Sequence, residues 1–227
     1  MFGPRRDRVE PVDACSHCFS AEDLRVLAGP VEEIPERLFC SALMHWGSTM
    51  DADVGLWRRL APRTLREMVG QTLHIDESWM ARKFNEAGWR EWPDDERDAV
   101  SEFCEAWFAT ALTAPEGPDV IDVLPFAAVM YGELAHWLER WAATPGPRAD
   151  HQLAQLAAWW LPDLLAGQLD VSFSGDLPDI SAELSAWLVA EAPRRLSEGD
   201  LAPINAYQLS QLSLPEDQRY RDVPAFD

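Results

Sequence analysis

Residues 93–112 read PDDERDAVSEFCEAWFATAL, and their spacing decides the fold class. Pro93 stands where a first-turn proline belongs, because the N–H it lacks has no intrahelical partner there. Asp94, Asp95 and Glu96 then place negative charge at the positive end of a helix dipole. Val100, Phe103, Cys104, Trp107, Phe108 and Ala111 recur at intervals of three and four, the period of one apolar helical stripe. Pro115 closes the stretch. Cys104, mid-stripe, is expected to pack as a small hydrophobe.

The same signals extend outward from this helix. Ser20 and Asp23 form a capping box, and Gly29 with Pro30 closes a short helix over 21–28. A second helix opens at Pro35 and stops before Gly47, with Leu38, Phe39, Ala42, Leu43 and Trp46 on its buried face. Further helical periods cover 53–60, 62–73, 76–87, 119–131 with a break at Pro125, 133–143, 150–166, 179–190 and 203–212. Residues 169–174 alternate like a strand but find no partner strand, so they read as loop. The expected fold is all-α, an irregular multi-helix bundle or loose α-solenoid of roughly ten helices. Residues 1–14 form an irregular lead-in, 15–213 a single helical domain with a possible subdomain junction at 143–150, and 214–227 a tail. Tryptophan recurs in EAWF, AHWLERW, AAWW and SAWL, but no strict repeat of ~34 or ~40 residues emerges.

Composition bounds function. The 227 residues carry 19 Lys and Arg against 39 Asp and Glu, a formal charge of −20. That charge repels nucleic acid phosphates and anionic membrane surfaces, which argues against both as partners. A 47% hydrophobic content with 11 tryptophans excludes a disordered acidic tail. No export signal follows the basic N-terminus, and the longest nearly uncharged apolar stretch, 123–132, falls far short of the ~18 residues a bilayer span needs. The expected location is the cytoplasm, where the four cysteines stay reduced. Only Lys83 among the 19 basic residues is a lysine, a bias attributed to a GC-rich coding sequence.

The strongest local signal for chemistry is Cys15-Ser16-His17-Cys18, immediately ahead of the Ser20 cap. Two thiols separated by two residues can turn onto one metal ion, and zinc prefers thiolates. Cys40 and His45 complete a zinc-finger-like spacing on paper. Residues five apart on a helix, however, sit 5 × 100° = 500°, or about 140°, apart around the axis. Cys40 then points mostly to solvent and His45 to the boundary of the core face. The candidate ligands are therefore Cys15 and Cys18, with His45 or His17, or a group from a second chain, completing the set. A dithiol redox role competes, since Cys18 precedes a helix start. It lacks the strand that precedes CxxC in thioredoxin-like proteins.

Other signals read as structure. Glu133 and His136 match the E-x-x-H spacing of di-iron helices, but the buried face runs through Leu134, Trp137, Leu138 and Trp141, which leaves His136 on the solvated side. His74 merely precedes the Asp76 cap. Trp46, Trp107, Trp137, Trp141 and Trp187 fall on buried stripes. Trp159 sits about 100° off the stripe of Leu153, Ala157, Trp160 and Leu164, which favours packing on a second layer over a partner surface. No nucleophile elbow, HExxH, P-loop or G-x-G-x-x-G is present.

Two stretches, CSHCFSAEDLRVLAGP at 15–30 and AGWREWPDDERDAVSEFCEAWF at 87–108, resemble an uncharacterised bacterial helical protein family with an N-terminal CxxC motif. The resemblance runs from Cys15 to about Trp141. It includes the paired cysteines, Phe19, the acidic helix start and the junction of Gly88, Trp89, Trp92 and Pro93; Cys40 and Cys104 lie outside it. It implies a helical fold and no activity. The expected role is that of a protein-interaction or scaffold protein, with an unidentified protein partner and zinc as the cofactor of the CxxC. Two alternatives stand beside it: an acidic inhibitor or immunity-type protein binding a basic partner, and a metal-dependent or dithiol redox enzyme.

Overall fold

A computed structural model of the chain describes residues 12–73, 75–167, 169, 180–197 and 199–220. Among the described residues there are ten α-helices and no strand: α1 Ala21–Leu27, α2 Glu36–His45, α3 Val54–Val69, α4 Glu77–Glu86, α5 Asp94–Thr113, α6 Val120–Tyr131, α7 Ala135–Ala142, α8 Pro147–Ala166, α9 Ile180–Arg195 and α10 Pro203–Leu212. The all-α expectation is met. The chain divides into two compact units, Met1–Glu105 and Ala106–Asp227, with the division inside α5. The 143–150 segment lies within the second unit, joining α7 to α8.

The first unit is built around α3. Leu56, Trp57, Leu60, Ala61, Leu65 and Met68 are buried along it, and Trp57 links a row of rings. Its centroid lies 5.0 Å from Trp46 and 5.6 Å from Phe84, which is 6.0 Å from Trp92. The second unit packs by the same means. Trp107 meets Phe126 at 5.4 Å, Phe108 meets Trp137 at 5.0 Å, and Trp141 meets Trp187 at 5.0 Å. Edge-on and tilted ring pairs of this kind add to the burial of large apolar area.

Several sequence expectations need correction. The two helices expected at 53–60 and 62–73 are one, because Pro62 lies inside α3; likewise α6 runs unbroken through Pro125. A proline inside a helix forfeits one backbone bond and costs roughly 3 kcal/mol. In α6 every residue from Val123 to Met130 is buried, so the packing of that face outweighs the missing bond. Pro193 similarly sits within α9, which continues past the expected end at 190. The lead-in is not wholly irregular, since Ala14 pairs with Met50 in an isolated bridge. Trp159 is 68% exposed, so it packs on no second layer. His136 is half-buried rather than solvated, stacked on Tyr131 at 5.8 Å and edge-on to Trp137 at 4.9 Å. His74, Asp179 and residues 170–174 of the strand-like stretch lie outside the described residues.

Candidate functional site

The site is built from the turn at Cys15–Cys18 upward. The Cys15 carbonyl accepts the N–H of Cys18 at 2.9 Å and of Phe19 at 3.0 Å, which folds the four residues into a tight turn. Both ends of that turn are anchored. Upstream, the Cys15 N–H donates to Thr49 at 2.7 Å, and Asp51 donates back to the Asp13 carbonyl at 3.0 Å, a short ribbon either side of the Ala14–Met50 bridge. Downstream, Phe19 is buried and Ser20 caps α1 through the full capping box with Asp23. The Ser20 hydroxyl also donates to the Asp23 carboxylate at 2.7 Å, and this bond, with the smaller contribution of the Ser20 N–H, holds the Asp23 carboxyl below its ordinary value.

The platform under the turn is the loop after α2. Gly47 takes φ +73, a left-handed conformation that costs a residue with a Cβ. The loop then folds back so that Ser48 and Met50 both donate to the His45 carbonyl at 3.0 Å. Trp46 fixes it from beneath, its indole N–H donating to the Asp53 carbonyl at 3.0 Å.

On this mount Cys15 and Cys18 lie 4.2 Å apart, and Cys15, Ser16, His17 and Cys18 are all exposed. The Cys15 thiol is lowered from its ordinary value by backbone hydrogen bonds, first from His17 and then from Cys18, with a smaller contribution from the Cys18 side chain. Two N–H groups aimed at one sulfur favour its thiolate, the form that binds metals and attacks disulfides. The other cysteines differ. Burial and the carboxylates of Glu67 and Glu36 push the Cys40 thiol up. Cys104, fully buried as the stripe predicts, is pushed up to about 12 mainly by burial.

His45 stands at the boundary as expected, half-buried and edge-on to Phe19 at 5.6 Å. Its Nδ1 lies 2.7 Å from the Ser41 carbonyl oxygen. A carbonyl only accepts, so Nδ1 carries a proton and donates it to Ser41. The structure brings Cys15 and Cys18 together but gathers neither His45 nor His17 with them: among the described residues no group of three or more His, Cys, Asp or Glu side chains is placed to hold a metal. Cys40, expected to point mostly to solvent, is half-buried on α2. No helix among the described residues is long and apolar enough to cross a membrane. No family model, curated protein or solved structure matches the chain.

Sequence reasoning missed a set of arginines. Arg59 donates to the carbonyls of Leu27, Ala28 (3.1 Å) and Gly29 (2.8 Å). One helical turn on, Arg63 donates to Val31 at 2.8 Å and Ile34 at 2.7 Å, pairs with Glu67 at 2.5 Å, and lies over the Phe39 ring. Together they bind the end of α1 and the connection to α2, the segment directly downstream of the dithiol turn. A lysine lacks the planar fork needed to reach several carbonyls at once, so the Arg-for-Lys bias has a structural use here. The available signal was the pair's spacing of four on a helix otherwise facing the core.

Proposed function

We propose that this chain is a helical protein-interaction or scaffold protein whose Cys15–Cys18 turn holds a structural metal ion, zinc by the softness of its ligands. The observation that carries the reading is the mount. Two exposed cysteines 4.2 Å apart, one with its thiol pKa lowered by backbone N–H groups, sit on a turn fastened at both ends. A preorganised cysteine pair binds a thiophilic cation without first ordering a loop. Within each unit, tryptophans pack the helices together.

Metal content of anaerobically purified protein, by plasma mass spectrometry alongside a free-thiol count with and without chelator, tests this. Zinc retained by the wild type and lost in Cys15→Ser, with a fall in thermal stability, supports the reading. Metal-free protein with four titratable thiols overturns it. A Cys15→Ser protein that keeps its stability while losing a turnover activity favours an enzyme instead.

The −20 charge supports a basic surface on the partner. Carboxylates stand exposed at the start of α5, at Asp94, Asp95 and Asp98. Binding to such a partner weakens steeply with added salt, and affinity indifferent to salt would count against it.

A further inference from the structure

We infer that the dithiol turn is half of a metal site that a second copy of this chain completes, giving a four-thiolate zinc bridge between two protomers. This rests on the metal reading above and extends it to the identity of the remaining ligands.

Structural zinc is tetrahedral and takes four protein ligands. Cys15 and Cys18 supply two, and no third His, Cys, Asp or Glu among the described residues is gathered with them. His45 turns its Nδ1 to Ser41 and packs against the Phe19 edge, and neither it nor His17 is gathered with the pair. The four residues of the turn are exposed together, so a zinc ion on Cys15 and Cys18 has its open positions on the accessible side. A two-fold axis through that ion brings the same two thiolates from the partner, which closes the coordination shell with a self-complementary contact. No covalent change occurs: two zinc-bound waters leave as two thiolates bind, and each bound cysteine has released its proton.

Charge makes the assembly conditional. Two chains of −20 each repel, and the screening length of about 10 Å at 0.1 M salt leaves that repulsion strong at low ionic strength. The dimer is therefore expected only with the metal and to tighten as salt rises, the reverse of the salt dependence of a basic partner.

The test titrates zinc chloride alone into the reduced, full-length chain while light scattering follows mass and bound metal is counted. The expected result is a doubling of the 25.6 kDa mass that saturates at about one zinc per two chains, is reversed by chelator, and is absent in Cys18→Ser. Cobalt in place of zinc should give the ligand-field spectrum of an all-sulfur tetrahedron. One zinc per chain with no change of mass overturns the bridge and leaves the metal reading standing, and loss of that zinc in His45→Ala or His17→Ala would name the intrachain ligand. No zinc uptake overturns both. A dimer that persists in chelator overturns the bridging role. The chelator arm uses wild-type protein, so a misfolded Cys18→Ser variant, recognised by circular dichroism, does not weaken the test.

Discussion

The two units solve one structural problem alike and differ in chemistry. In each, an arginine on a later helix ties down the carbonyls at the end of an earlier one. Arg59 and Arg63 do so in the first unit. In the second, Arg195 bonds Trp141 at 3.0 Å, Thr144 at 3.1 Å and the Asp150 carboxylate at 2.8 Å. Arg148 bonds Gly117 at 3.0 Å and Pro118 at 3.2 Å beside Asp119. Helix ends leave carbonyls without partners, and one guanidinium fork satisfies several at once. Yet all four cysteines fall in the first unit, whereas the second has none. The difference teaches that the chain repeats a packing device while confining its cysteines to one end of the sequence.

The sharpest way to break the parallel is at the clamps. Arg63 is only 8% exposed, and Arg63→Ala leaves the Val31 and Ile34 carbonyls and the Glu67 carboxylate without their partner. Such losses cost about 3 kcal/mol, and Arg63→Lys is expected to recover little of it. Arg195→Ala, which frees two carbonyls and a carboxylate, Asp150, more open than Glu67, is expected to cost about 2 kcal/mol. Urea unfolding followed by tryptophan fluorescence measures both. Equal and negligible effects would show that the forks merely decorate helix ends already satisfied by water.

Asp122 sharpens the comparison through pH. It is half-buried on α6, and burial, with a smaller contribution from Asp119, raises its carboxyl above the ordinary value. The folded state therefore favours the protonated acid. Its contribution to stability is present below the ordinary carboxyl range and is lost as pH rises through the raised folded value. Asp122→Asn is accordingly expected to raise the midpoint of thermal unfolding at neutral pH by less than the arginine changes lower it, with the gain fading in acid. A gain that persists undiminished at acid pH would show that charge is not its cause.

How much of this could be read from the sequence depends on range. The capping box at Ser20 and the stripe through Cys104 are local consequences of helical period, and both are found. Pro62 and Pro125 misled because a proline's local cost is legible while the burial that offsets it is not. The ribbon that fastens Cys15 to Thr49 joins residues 34 apart, and the arginine forks reach across about as far. Nothing in a hydrophobic pattern marks such pairings. The CxxC itself was plain; the exposure of the turn and the rigidity of its mount came only with the fold.

The smallest expected effect concerns the face of α8. Trp160 and Trp159 are neighbours on one helix, yet Trp160 is 5% exposed and Trp159 68%, the consequence of a rotation of about 100° between adjacent residues. Leu153, Leu156, Ala157, Leu161 and Leu164 share the inner face with Trp160. Trp160→Ala opens a cavity in the second unit and belongs with the large effects, whereas Trp159→Ala removes surface already in water. A surface change of this kind stays within about 0.5 kcal/mol, and the red-shifted part of the tryptophan emission should fall as that solvated indole is lost. If Trp159→Ala instead destabilises the chain as much as Trp160→Ala does, the outer ring is covered in solution. The second unit would then carry a contact face of its own, and its contrast with the cysteine-bearing first unit would no longer be one of packing against chemistry alone.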